Sequence, residues 1–223
     1  MIKSVLKLIK GRDFHIDPKV SDIYLFRLLL KFIFDFIRGV VFTRKKVFLG
    51  SNVILKEIRR LDLGDWVRIQ QGAYLDALSH KGLRIGRNVS IGPYTRIECT
   101  GTIQKVGVGC SIGDGSGIGA FSFIGAAGGV DIGKNVIMGQ RVSFHSENHV
   151  FGDVSVPIKD QGVTSQGIII SDDCWIGAGV IFLDGVTLGC GCVVAAGAVV
   201  NKSFPDNSVI GGVPATIIKQ RSP

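Results

Sequence analysis

Two patterns of hydrophobic and polar positions divide the chain near residue 48. Between residues 23 and 41 the side chains are apolar apart from one late glycine and four charged residues, which are Arg27, Lys31, Asp35 and Arg38. The spacings of 4, 4 and 3 between these charges place them on one stripe of a helix, opposite a wide apolar face. The pattern therefore predicts that residues 1–48 form an amphipathic helical segment.

Beyond residue 48 an aliphatic or other large apolar residue recurs at every sixth position. The clearest runs are Ile85-Ile91-Ile97-Ile103, Val106-Ile112-Ile118-Ile124, Ile132-Met138-Phe144 and Ile170-Ile176-Phe182-Leu188-Val194-Val200. A period of six fits neither one face of a helix nor the alternation of a half-buried strand. It fits short strands joined by tight turns, each strand pointing one large side chain inward. The sequence predicts an all-β solenoid, a parallel β-helix of hexapeptide repeats, over residues 49–204, followed by a closing segment over 205–223.

Glycine makes up 31 of 223 residues and follows the apolar position in most repeats. We expect these glycines to permit tight corners, both by adopting positive φ and by allowing close approach of backbones. The composition, 46% hydrophobic and 20% charged with only 6 prolines, excludes a disordered chain. Glycine without a three-residue period also excludes collagen.

Almost all of the positive charge lies in the N-terminal segment. Residues 1–48 hold 11 Lys or Arg and 4 Asp or Glu, whereas residues 49–223 hold 15 and 14. A nucleic-acid binder spreads basic residues over its folded face, so no nucleic-acid partner is expected. Apolar, basic helices lie on anionic bilayers, and the segment is predicted to make peripheral membrane contact. Two other possibilities remain open for this helix: it packs on the rest of the protein or on another subunit, or it spans the membrane.

Five cysteines form no CxxC pair and no ligand spacing with histidine, so we expect free thiols in a reducing cytoplasm. The first apolar stretch carries Lys3, Lys7 and Lys10 and is followed by no small-residue cleavage site, which argues against a cleaved leader. Cys110, Cys174 and Cys192 occupy the small-residue position of a repeat. We interpret them as packing residues rather than nucleophiles.

The repeats, the motif Asp173-Cys174-Trp175-Ile176-Gly177-Ala178-Gly179 and the closing segment from Pro205 to Ala215 resemble the hexapeptide-repeat acyltransferases. The similarity is greatest to the maltose and galactoside O-acetyltransferases and their relatives in capsule and lipopolysaccharide synthesis. The resemblance implies a left-handed β-helix, a homotrimer and acetyl-CoA as co-substrate, with no metal. It also implies an O-acetyltransferase whose active sites lie between subunits and whose acceptor is a sugar hydroxyl of a surface polysaccharide or its precursor.

The repeat is interrupted most strongly between Phe144 and Ile170, which predicts an inserted active-site loop at 145–169. An imidazole titrates near neutral pH and suits a base that deprotonates a hydroxyl. The family motif places the catalytic base at His149, although a histidine there could also be an ordinary surface residue. His145, Glu147 and Asn148 are predicted to be supporting residues, and a structural role for His145 and a solvated one for Glu147 remain open.

The resemblance also assigns the groups that meet the thioester. Backbone N–H groups at Gly177 and Ala178 are expected to stabilise the oxyanion of the transition state. The residues expected to contact the cofactor are Trp175, Ala178, Ala196, Asn201, Lys202 and Lys219. Trp175 could instead only pack at a corner, and the lysines could only be solvated.

Three other functions share this solenoid. An N-acetyltransferase of an amino sugar-nucleotide would use a similar base and groove. A γ-class carbonic anhydrase needs three histidine ligands for each zinc ion. His145 and His149 are four residues apart and His80 lies several coils away, so this sequence does not supply such a set. A non-catalytic β-helix protein is the third alternative, and the presence of both His149 and Trp175 argues against it.

Overall fold

The computed structural model describes residues 16–222. Within these residues one long helix, α1, spans Asp22–Thr43, and short strands arranged in successive coils follow it from Phe48 to Gln220. Ser21 caps the start of α1, where its hydroxyl accepts a hydrogen bond from the Tyr24 N–H at 3.2 Å. The helix ends at Arg44, which adopts a left-handed conformation and donates its backbone N–H to the Val40 carbonyl.

Each complete coil contributes one strand to each of three faces. In chain order the strands of the first four coils are β1 Phe48–Leu49, β2 Ile54–Lys56, β3 Leu61–Leu63, β4 Arg68–Ile69, β5 Tyr74–Asp76, β6 Leu83–Ile85, β7 Ser90–Ile91, β8 Arg96–Glu98, β9 Cys110–Ile112, β10 Gly117–Ile118, β11 Phe123–Gly125 and β12 Val130–Ile132. The later strands are β13 Ile137–Met138, β14 Ser143–His145, β15 Asn148–His149, β16 Val163–Thr164, β17 Ile168–Ile170, β18 Trp175–Ile176, β19 Ile181–Leu183, β20 Thr187–Leu188, β21 Val193–Val194, β22 Val199–Val200, β23 Ser208–Gly212 and β24 Ala215–Gln220. Two 3₁₀ turns, Ile58–Arg60 and Ile158–Asp160, complete the regular structure.

Three parallel sheets run along the coils and close a β-helix. Face A contains β1, β4, β7, β10, β13, β18, β21 and β23; face B contains β2, β5, β8, β11, β14, β19 and β22; face C contains β3, β6, β9, β12, β17 and β20. The apolar residues of the six-residue period fill one continuous core, in which Phe144 and Phe182 stack with ring centroids 4.8 Å apart. An antiparallel hairpin of β23 and β24 closes the C-terminal end.

Close approach of neighbouring coils, rather than positive φ, explains the repeat glycines. A Cβ on Gly119 would lie 2.1 Å from the Gly139 carbonyl oxygen, and one on Gly177 would lie 2.5 Å from the Ala196 nitrogen. Neither glycine has a positive φ. The left-handed conformation falls two residues later in the repeat, where it is adopted by Phe121 and by Gly179. The expectation that the repeat glycines adopt positive φ at the corners is therefore wrong for these positions.

The run that begins at Ile85 ends at Ile97, one repeat earlier than expected. Ile103, which is 88% exposed, and Val106, which is only half-buried, belong to an excursion of the chain between β8 and β9 and not to the core. The excursion projects where face B meets face C, at the same corner as the larger insertion between β14 and β17. Two loops from different coils therefore flank one end of face B.

Two residues of the charged stripe of α1, Asp35 and Arg38, lie at the contact with the β-helix, whereas Arg27 and Lys31 are exposed. Asp35 is buried and accepts hydrogen bonds from Lys31 Nζ at 2.5 Å and from Arg38 Nη1 at 3.1 Å. Arg38 also donates to the Leu49 carbonyl of the first coil at 2.5 Å. Phe32 and Phe36 pack on Phe48 beside these charges. The helix thus packs against the first coil through polar and aromatic contacts, and a second set of its apolar residues is exposed on the opposite side.

Lys3, Lys7 and Lys10 lie outside the described residues. Within residues 16–222, no helix combines the length and the hydropathy that crossing a bilayer requires, so α1 is not the membrane span considered from the sequence.

Candidate active site

A cavity of about 230 Å³ lies at the end of face B that the two loops flank. Glu98, Gly125 and His145 belong to adjacent strands and occupy matching register positions, because Gly125 pairs with Glu98 on one side and with His145 on the other. Because Gly125 has no side chain, the space between the Glu98 carboxylate and the His145 imidazole, which are two coils apart, is open and forms a notch in this cavity. Phe123 forms the side of this notch, with its ring centroid 5.7 Å from that of His145.

The insertion adds His149 and Glu147 to the same cavity. Asn148 and His149 form β15, which pairs antiparallel with Val163 and Thr164 of β16, so a short hairpin holds His149 in place. His149 is exposed, so its imidazole is accessible from outside the chain.

Hydrogen bonds to the β-helix anchor both ends of the insertion. The Ser146 hydroxyl donates to the Gly125 carbonyl at 2.7 Å and accepts from the Gly128 N–H at 2.9 Å. At the other end, the Asp184 carboxylate accepts from the backbone N–H groups of Gln166 at 2.9 Å and of Gly167 at 2.8 Å. The hairpin that carries His149 is therefore fixed to the β-helix on both sides.

His149 also borders a broader groove of about 830 Å³ on the other side of the hairpin. Val150, Phe151 and Ile158 line this groove with apolar side chains. The imidazole thus lies between a small cavity with carboxylates and a larger apolar groove. Such a position allows one group to contact two different substrates.

The residues assigned to the oxyanion and the cofactor lie elsewhere in the chain. Trp175 is on the outer surface of face A, 59% exposed, and Gly177 and Ala178 form the corner between faces A and B. The Gly177 N–H donates to the Val194 carbonyl at 2.8 Å, so the expectation that it binds the oxyanion is wrong for this structure. Ala178 is exposed, and its N–H donates no hydrogen bond to any residue between 16 and 222. A free N–H of this kind can stabilise a developing oxyanion.

The remaining expected cofactor contacts are close to the C-terminal end of the β-helix. Ala196 occupies the same corner as Ala178 one coil later, Asn201 and Lys202 follow β22, and Lys219 lies on β24. None of these residues lines either cavity beside His149. A single chain therefore brings together His145, Glu147, Asn148 and His149 but separates them from the expected oxyanion and cofactor groups.

Glu98 and Phe123 are residues of the cavity that the sequence reasoning missed. Glu98 is partly buried and forms an ion pair with Arg96 on the same strand. Counting back along face B from His145 in steps of one coil would have reached Glu98. The excursion around Ile103 hid this relation, because it changes the number of residues between coils.

Burial makes four of the cysteines unsuitable as nucleophiles. Desolvation raises the pKa of Cys99 and of Cys174 to about 12, and it raises the pKa of Cys110 and Cys192 as well. Among the described residues there is no cluster of three or more His, Cys, Asp or Glu placed to hold a metal ion.

Comparison with known proteins agrees with this architecture. Residues 167–202 match the family model "Bacterial transferase hexapeptide (six repeats)". A probable acetyltransferase of Mycobacterium tuberculosis is 32% identical over 185 residues, which are 81% of this chain and 52% of that protein. WbbJ of Escherichia coli, named as an O-acetyl transferase of lipopolysaccharide biosynthesis, is 34% identical over 98 residues, which are 41% of this chain and 50% of that protein.

A maltose O-acetyltransferase from Clostridium difficile has a similar structure, with a TM-score of 0.54 and 25% identity over 60% of this chain and 67% of that one. The chain spans about half the length of the curated relatives that it matches. The resemblance to hexapeptide-repeat acyltransferases and the expected left-handed β-helix are confirmed by these likenesses.

Proposed function

We propose that this chain, a left-handed β-helix with the hexapeptide repeat of the bacterial transferases, moves an acetyl group from acetyl-CoA to a sugar hydroxyl. The observation that carries the proposal is the placement of His149, on an anchored hairpin between a cavity with carboxylates and an apolar groove. The names of the relatives, which include O-acetyl transferases of maltose and of lipopolysaccharide synthesis, support an acetyl donor and a saccharide acceptor.

The acceptor fits the smaller cavity. Carboxylates accept hydrogen bonds from hydroxyl groups, and Glu98 and Glu147 both face this cavity. The same carboxylates repel the phosphates of coenzyme A, so the cofactor should approach His149 from the apolar groove. We expect Glu98 to accept a hydrogen bond from a sugar hydroxyl next to the reacting one, while Glu147 and His145 help to orient the sugar.

The mechanism that we propose is direct transfer within one ternary complex. His149 takes the proton of the sugar hydroxyl as its oxygen attacks the thioester carbon, and the N–H of Ala178 stabilises the oxyanion. Collapse of the tetrahedral intermediate breaks the C–S bond, and the proton held by His149 goes to the leaving thiolate. The products are the acetyl ester and coenzyme A, with no acyl-enzyme.

Because one chain separates His149 from Ala178 and Trp175, the complete site requires a neighbouring copy. We propose a homotrimer in which one subunit supplies His149 and the next supplies Trp175, Ala178 and the cofactor contacts at Ala196, Asn201, Lys202 and Lys219. We place this reaction in the cytoplasm, where the precursors of surface polysaccharides are made and free thiols such as the buried cysteines persist.

The substitution His149→Ala tests the proposal. We expect turnover to fall by about 10²–10⁴-fold, because the base is lost, while the affinity for acetyl-CoA changes little. The measurement is thiol release from acetyl-CoA with a panel of sugars and amino sugars. His15→Ala, which replaces a histidine far from this insertion in the sequence, is the matched control and should retain wild-type turnover.

Two results would contradict the proposal. Unchanged turnover in the His149 variant would show that His149 is not the catalytic base. Acetylation of amino sugars alone, with no sugar hydroxyl accepted, would favour the N-acetyltransferase alternative.

A further inference from the structure

The outer side of α1 is an exposed apolar surface. Phe26, Ile33, Phe34, Ile37, Val40 and Val41 are each between 40% and 68% exposed. At 100° per residue these six positions share one side of the helix, opposite Asp35. A helix on the surface of a water-soluble protein normally has its polar residues on this side. The exposed apolar face therefore requires a partner.

Several contacts fix this orientation of the helix. Gly39 packs so closely on the first coil that a Cβ there would lie 1.9 Å from the Val47 carbonyl oxygen. One turn earlier, Asp35 is buried in its ion pairs with Lys31 and Arg38. Rotating the helix to bury its apolar side would remove this close packing and break the hydrogen bond from Arg38 to Leu49. The apolar face cannot turn inward without losing these interactions.

The surroundings of the face are positively charged. Arg27 is exposed on the flank of α1, and Arg44 and Lys46 are exposed just after its end. The helix contains two acidic residues, of which Asp22 is exposed in the first turn and Asp35 is paired with both Lys31 and Arg38. Over the described residues 16–48 the net charge is +4, from 7 basic and 3 acidic residues.

We propose that α1 docks on an anionic lipid surface through this outer apolar face. Its apolar side chains enter the boundary between headgroups and acyl chains, and Arg27, Arg44 and Lys46 contact the lipid phosphates. Pairing this face with that of a second copy would bring together two segments that each carry a net charge of +4 over residues 16–48, which charge repulsion opposes. An anionic bilayer satisfies both the apolar area and the charge. The helix lies along the membrane without crossing it.

Vesicle sedimentation of the full-length chain tests this proposal without any assay of turnover. Wild type should bind vesicles of phosphatidylglycerol and phosphatidylcholine, but bind vesicles of phosphatidylcholine alone much more weakly. Ile33→Gln with Ile37→Gln should weaken binding by at least about tenfold, because two apolar side chains are removed from the contact. The matched control is Ile103→Gln with Val154→Gln, which removes exposed apolar side chains elsewhere and should bind like wild type.

A charge variant tests the second half of the interaction. Arg44→Gln with Lys46→Gln should weaken binding to anionic vesicles by about fivefold for each basic residue removed. The binding of wild type should also decrease as salt is added, because the attraction is screened.

A direct probe of insertion keeps the proposal testable if the double glutamine variant does not fold. Phe34→Trp places a fluorophore on the outer face, and its emission should be quenched by brominated acyl chains. The tryptophans of the parent chain, Trp66 and Trp175, provide the background signal.

Equal vesicle binding by the glutamine variant and wild type would overturn the proposal. If that variant also formed a smaller oligomer in sedimentation, the face would be assigned instead to contact with a second copy of the chain.

Discussion

Four cysteine side chains point into the interior of the β-helix, at Cys99, Cys110, Cys174 and Cys192. At neutral pH their thiols are protonated, because burial penalises the thiolate. They occupy positions where the coil has room for a small apolar group. The ionisation of these thiols therefore affects the stability of the fold and has no part in the proposed acyl transfer.

The raised thiol pKa values predict a loss of stability in alkali. An unfolded thiol ionises near pH 9, whereas those of Cys99 and Cys174 stay protonated in the folded chain until about pH 12. This contribution to the free energy of unfolding is complete below pH 9 and decreases as the pH rises toward 12, by about 1.4 kcal/mol per pH unit for each thiol. Urea unfolding between pH 8 and 11 measures it.

Cys99→Ala should reduce this slope, and Cys190→Ala, which replaces an exposed thiol, should leave it unchanged. Equal slopes in the Cys99 variant and wild type would contradict the assignment. Both variants should retain turnover, since the proposed transfer uses no cysteine.

At the scale of the strand and its corner, the spacing between coils decides which glycines are required. Gly117 and Gly119 lie only two residues apart in the same coil, but their surroundings differ. No atom lies within 4 Å of a Cβ built on Gly117, whereas one on Gly119 would lie 2.1 Å from the Gly139 carbonyl oxygen. Two glycines with nearly the same place in the sequence therefore have different structural roles.

We expect Gly119→Ala to lower the free energy of unfolding by about 2–3 kcal/mol, because the added methyl group forces two coils apart. Gly117→Ala should be neutral or slightly stabilising, since alanine restricts the unfolded chain and meets no neighbour here. Urea denaturation of the two variants makes the comparison. A Gly119 variant as stable as wild type would show that the coils adjust without cost.

At the scale of the whole molecule, the position of Trp175 on face A and of His149 beyond face B predicts that two chains share each active site. His149→Ala and Trp175→Ala should each be inactive alone. When the two variants are unfolded together and refolded in equal amounts, about a quarter of the sites should combine an intact histidine with an intact tryptophan. Turnover should recover accordingly.

Thiol release by the refolded mixture measures this recovery, with each variant refolded alone as the control. No recovery in mixed oligomers would mean that both residues act within one chain, against the shared site proposed here.

The sequence by itself determined the β-helix, its core and the place of the main insertion. These features depend on local spacing, because a six-residue period fixes which side chain of each short strand points inward. His149 came from a different source, because only the resemblance to the family motif singled it out within the insertion, and its role as the base is the proposal made above. The separation of the charged residues in α1 from its apolar residues was also visible in the sequence.

Only the tertiary structure decided which groups meet across coils. Glu98 and His145 face one cavity because two coils separate them, and the length of the excursion at Ile103 obscures that relation in the sequence. The direction of the charged stripe was decided by the first coil, where Leu49 offers a carbonyl to Arg38. Periodicity identifies the two sides of a helix, but only packing against a partner determines which side faces solvent.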